Sequence, residues 1–121
     1  MTANDAVMGY GQAGPDAVLA PAVATARRAG RQVTITLRGE LDGVTVPEVL
    51  AALDDQLDAG VDSVVFDAAE LEFMDSSGLR VLVLAGQRLG DMPGAVVVRN
   101  PSDVIRRLLE VTGLDDRFLE A

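Results

Sequence analysis

Asp75-Ser76-Ser77-Gly78 sets a carboxylate beside two hydroxyls immediately before an apolar run, and Glu40-Leu41-Asp42 places two more carboxylates upstream. An Asp-Ser pair at the head of an apolar run reads first as a helix N-cap, because a side-chain oxygen there takes up a backbone N–H that the helix leaves free. Capping needs only one such residue. Two hydroxyls, a carboxylate and then a glycine are more than a cap requires, and the glycine permits a close approach that a side chain would block. Ser77 falls where free N–H groups and the helix dipole favour negative charge. Asp42 reads either as a turn residue or as part of the same site. Asp42 and Asp75 together also allow a second class of reading, in which carboxylates hold Mg²⁺ for an enzyme or a nucleotide- or phosphate-binding module. No lysine and no glycine-rich phosphate loop accompany them.

The residue types that are missing narrow the chemistry further. The 121 residues contain no His and no Cys, and all 10 basic residues are Arg. Imidazole and thiolate catalysis, His or Cys metal sites, disulfides and redox pairs are therefore excluded, as are Schiff-base and P-loop lysines. A net charge of -9 opposes nucleic acid and anionic lipid. Aromatic residues make up only 3% of the chain, so base-stacking platforms are not expected. The longest apolar stretches fall far short of the ~20 residues that span a bilayer, and no basic region precedes them as in a signal peptide. These features predict a soluble cytoplasmic protein. With 49% hydrophobic residues the chain can bury a core of Val, Leu, Ile and Ala.

These residues have to be positioned by local structure. Residues 1–16, small and without periodicity, read as a tail, and 17–121 as one domain. Val18 to Ala26 reads as a weak strand that Pro21 confines to a sheet edge, with Arg27 to Arg31 as the following turn. Val33, Ile35 and Leu37 alternate with Thr34, Thr36 and Arg38, which predicts a strand, and Gly39 to Gly43 end it. Thr45 and Glu48 have capping-box spacing, and Val46, Val49, Leu50, Leu53 and Leu57 share one face of the helix that follows, stopped by Gly60. Val64 to Phe66 reads as a short central strand, followed by a loop to Asp75. The second helix, Leu79 to Leu89, is apolar nearly all round: either it is deeply buried or one face is kept for a partner. Ala95 to Val98 is a strand; Asn100 with Pro101 caps a third helix ending at Gly113; Leu114 to Leu119 form a last turn. This order predicts an α/β fold with a mixed, mostly parallel sheet of about four strands and three to four helices.

Gly39-Glu40-Leu41-Asp42, a helix, and then Phe73-Met74-Asp75-Ser76-Ser77-Gly78-Leu79 resemble the STAS domain of bacterial anti-sigma-factor antagonists, a likeness that covers residues 18 to 119. The resemblance implies a small regulatory protein, not an enzyme, that binds an anti-sigma factor, itself a serine kinase, and thereby frees a sigma factor. It implies a phospho-acceptor at the second serine, Ser77, with Asp42, Asp75, Ser76 and Gly78 as partner contacts and a PP2C-type phosphatase that resets the switch. No cofactor of its own is implied, since ATP and Mg²⁺ belong to the kinase. The family also contains scaffold modules of sensory and transport assemblies, which is the alternative role. Gly43, where bulkier residues are common, and Ala68-Ala69, in place of a Leu-Ser type pair, depart from the family's pattern.

Overall fold

The computed structural model describes residues 23–120; the tail and the Val18–Ala22 part of the first strand lie outside the described residues. The elements are β1 (Ala24–Ala29), β2 (Gln32–Leu41), α1 (Val46–Asp58), β3 (Ser63–Met74), α2 (Ser76–Arg88), β4 (Val96–Arg99), α3 (Asp103–Val111) and α4 (Asp115–Phe118). The sheet order is β1-β2-β3-β4. β1 runs antiparallel to β2, whereas β2–β3 and β3–β4 are parallel. Each helical crossover steps one strand in the same direction, so right-handed connections place α1 and α2 on one face of the sheet. A single core follows. Val33, Ile35 and Leu37 of β2 and Val64, Phe66 and Ala68 of β3 pack with Val49 and Leu53 of α1, Leu82 and Ala85 of α2, Ile105 and Leu109 of α3, and Phe118 of α4. Among the described residues no helix is long and apolar enough to cross a membrane.

Several local expectations change. Arg27–Ala29 belong to β1, not to a turn, because the antiparallel ladder continues to Ala29↔Gln32 and leaves only Gly30 and Arg31 to reverse the chain. Gly30 has φ +64, which glycine adopts without steric cost.

β2 runs through Gly39 to Leu41, and β3 continues through the stretch that reads as a loop, pairing Glu70, Leu71, Phe73 and Met74 with Arg38, Gly39, Glu40 and Leu41. Two register shifts interrupt that pairing. Extra residues in β3 move its buried side chains to Ala68, Leu71 and Met74, a spacing of three that conceals the strand from a search for alternation.

The Thr45–Glu48 capping box does not form. Thr45 Oγ1 donates to the Glu40 carbonyl at 2.7 Å, and the Glu48 carboxylate accepts from the Ala24 amide at 3.1 Å, tying α1 to the edge strand.

Asn100 does not cap α3. It sits at φ 57 and its Nδ2 donates to Asp67 Oδ1, while the cap is Ser102, whose Oγ accepts from the Ile105 amide at 3.2 Å. Ser102→Ala is expected to lower stability by about 1 kcal/mol, read as a lower urea midpoint at unchanged m-value.

Candidate functional site

The site forms where β2 and β3 end side by side. Leu41 and Met74 are register partners, and the Asp75 amide donates to the Leu41 carbonyl at 3.2 Å. The two loops therefore leave the sheet together, and Asp42 and Asp75 each occupy the first position beyond the ladder. This is the carboxyl edge of a parallel sheet, where sites gather in α/β folds.

Both aspartates are structural in the first instance. Asp75 is extended, with φ -112 and ψ -167, and its Oδ1 accepts from the Ser77 amide at 2.8 Å and the Gly78 amide at 3.3 Å. Asp42 Oδ1 accepts from the amides of Val44 at 3.0 Å and Thr45 at 3.1 Å and from Thr45 Oγ1 at 3.2 Å. Asp75 thus caps α2, whereas Asp42 holds the turn that precedes α1, whose N-cap residue is Thr45. Asp75→Ala is expected to cost about 1 to 2 kcal/mol, the upper part of the range for lost N-caps because two amides lose their acceptor, and Asp75→Ser to recover most of it in the same thermal melt. Among the described residues no group of three or more His, Cys, Asp or Glu is placed to hold a metal ion.

With Asp75 committed to the cap, the two hydroxyls carry what chemistry is left. α2 begins at Ser76, not at Leu79, so Ser76 and Ser77 occupy its first two positions. There the helix dipole and free amides favour added negative charge. The two serines are not equivalent: Ser76 is exposed, and Ser77 is half-buried. Ser77 faces the loop after β2, since a Cβ added to Gly43 would meet Ser77 Oγ at 3.7 Å. Gly78 is buried, and its own added Cβ would lie 2.5 Å from Met74 Cγ and 3.0 Å from both Leu41 Cγ and the Leu41 carbonyl. Its role is close packing of α2 onto the strand ends.

The structure thus brings all five sequence-predicted residues, Asp42, Asp75, Ser76, Ser77 and Gly78, to one edge. Three features are absent from the sequence reading. Val44 is 87% exposed on the loop after Asp42, and Phe73 is 46% exposed one residue before the end of β3. Arg80 follows one turn into α2 and is exposed. An isolated valine in a polar turn and an arginine early in an apolar helix were the available signals. The all-round apolar character of α2 has two causes: Val81, Leu82 and Ala85 are core, while Leu84 borders a groove shared with α1.

Comparison with known proteins agrees with this architecture. Residues 24–120 match the family model described as "Mlab, STAS domain". The anti-sigma-B factor antagonist of Listeria monocytogenes is 38% identical over 85 residues, covering 69% of this chain and 74% of that protein. The structure of the anti-sigma factor antagonist SpoIIAA in its unphosphorylated form superposes with a TM-score of 0.70 at 26% identity, covering 80% of this chain and 85% of that one. The Bacillus SpoIIAA in its phosphorylated form gives 0.64 at 27% identity, covering 81% and 90%. With paired strand ends that deliver Asp42 and the Asp75-Ser76-Ser77-Gly78 turn, and a match across nearly all of the described residues, the chain belongs to the STAS-domain family of anti-sigma-factor antagonists.

Proposed function

We propose that the unmodified chain binds an anti-sigma factor that is itself a serine kinase, that this binding frees a sigma factor in the cytoplasm, and that phosphorylation of the serine pair ends it. The observation that carries the reading is the exposed Ser76 on the first turn of α2, at the sheet edge that also carries the exposed Val44 and Phe73. A kinase has to bring the acceptor oxygen in line with the γ-phosphorus of ATP. Exposure therefore favours Ser76 over the half-buried Ser77 as the acceptor, and leaves Ser77 facing the Gly43 loop.

A phosphate adds about 1.5 to 2 negative charges and three acceptor oxygens. At a helix N-terminus that charge is tolerated, so the fold has no reason to rearrange. In a packed interface the same charge must be desolvated, which costs several kcal/mol unless it is paired. Hydrolysis by a PP2C-type phosphatase restores the neutral surface. Asp42, Asp75 and Gly78 act by shaping this surface; the chain is a substrate and needs no cofactor.

The test is incubation with purified anti-sigma serine kinases and Mg-ATP, followed by mass spectrometry. The expected label is on Ser76, lost in Ser76→Ala and kept in Ser77→Ala. Label on Ser77 alone moves the switch to that residue, and no label on either serine overturns the reading.

A further inference from the structure

α1 and α2 cross the sheet in the same direction, and a groove of about 250 Å³ runs between their N-terminal halves. Its lining is apolar apart from one hydroxyl and one cation: Gly43, Val46, Leu50 and Leu84, with the half-buried Ser77 and the exposed Arg80. Farther along the same pair of helices, Arg88 meets Asp54 at 2.7 Å and ties α2 to α1. Arg80 lies two turns earlier, where α1 offers Val46, Pro47 and Leu50 instead of a carboxylate. Among the described residues Arg31, Arg38, Arg88, Arg99 and Arg117 form salt bridges, whereas Arg80, like Arg27, Arg28, Arg106 and Arg107, forms none, and of these five it alone lines the groove. An unpaired cation beside an apolar groove on a chain of net charge -9 is a local inversion of the molecule's electrostatics.

Gly43 decides whether the groove is open. Its backbone φ lies outside the left-handed region, and only Ser77 Oγ, at 3.7 Å, would be near an added Cβ. No backbone strain therefore calls for glycine here. What glycine does is leave the end of the groove uncovered where it reaches Ser77.

We infer that this groove is a specificity pocket, taking a Leu- or Phe-like side chain of the anti-sigma factor with a neighbouring carboxylate that pairs with Arg80. The inference rests on the proposed function and deepens it. The apolar lining fixes the inserted group, since burying apolar surface is the favourable term such a concavity offers. The charge of Arg80 fixes its neighbour, because a cation held at the edge of an apolar surface selects an acidic partner and rejects a basic one. Continuity with Ser77 ties the pocket to the switch: whatever fills it sits against the turn that Ser76 opens.

The test is calorimetric titration of a purified anti-sigma serine kinase with the full chain and with Gly43→Leu, Arg80→Ala, Arg80→Glu and Arg80→Lys. Both positions are exposed, so melting temperatures are expected to be unchanged. Gly43→Leu, which fills the groove, and Arg80→Ala are each expected to weaken binding about tenfold, which is about 1.4 kcal/mol. Arg80→Glu should weaken it further, and Arg80→Lys should recover part of the loss. The salt dependence of binding should shrink in Arg80→Ala. Wild-type binding and phosphorylation with all four variants within about twofold overturns the pocket while leaving the proposed function standing. So does self-association of the chain that Gly43→Leu abolishes, since the groove would then belong to a second copy. A wild-type chain that neither binds nor is labelled overturns both.

Discussion

Ser76→Asp is expected to weaken anti-sigma factor binding by about 100-fold or more without lowering the melting temperature. The two halves of that result have one cause. On the first turn of α2 an added carboxylate meets the positive end of the helix dipole, a contact worth about 0.3 to 1 kcal/mol in favour of the fold. Ser76 is also exposed, so no core packing is disturbed. In the proposed complex the same charge is pressed against the partner and loses its water. An unpaired charge in that position costs several kcal/mol, and each ~1.4 kcal/mol is tenfold in affinity. Ser76→Ala, smaller and neutral, should bind within a few-fold of the unmodified chain. A large loss in Ser76→Ala would mean that the hydroxyl is a binding contact and not a switch.

Gly78→Val should have the largest effect on stability, about 3 kcal/mol, visible as a drop in melting temperature of order 10 °C or more for a domain of this size. Placing alanine or valine in a helix usually gains over glycine, by up to ~1 kcal/mol. That gain is outweighed here. The added Cβ would lie 2.5 Å from Met74 Cγ and 3.0 Å from the Leu41 carbonyl. Met74 has a flexible side chain and can yield, whereas the Leu41 carbonyl is backbone, already accepting from the Asp75 amide. α2 must then lift away from the strand ends, taking the serine turn with it. Gly78→Ala should show the same sign at reduced size. A variant as stable as the original would show that α2 does not need this close approach.

The α/β order and the meeting of Asp42 with the Asp75-Ser76-Ser77-Gly78 turn were legible in the residues, because capping chemistry is local: a carboxylate and the amides that it accepts lie within three positions of each other. Alternation in β2 is equally plain, since only its helix-facing residues are buried. The second half of β3 was illegible for the opposite reason. Its pairing with Arg38–Leu41 passes through two register shifts, and a strand with bulges has no fixed period. Thr45 and Asn100 misled in another way. Each has the composition of a cap, and each spends its side chain elsewhere, Thr45 on the Glu40 carbonyl and Asn100 on Asp67. Competing acceptors of that kind are set by tertiary placement. The difference between Ser76 and Ser77 is likewise invisible in the dipeptide, because it depends on which way the first turn of α2 faces the Gly43 loop. The α1–α2 groove belongs to the same class, a property of two helices that neither shows alone.

The most direct measurement of the central claim is the affinity of one purified anti-sigma serine kinase for the chain before and after stoichiometric phosphorylation mapped to Ser76, with circular dichroism on both forms. The expected result is superimposable spectra and an affinity at least ~100-fold lower for the phosphorylated form. Equal affinities for the two forms would contradict the account.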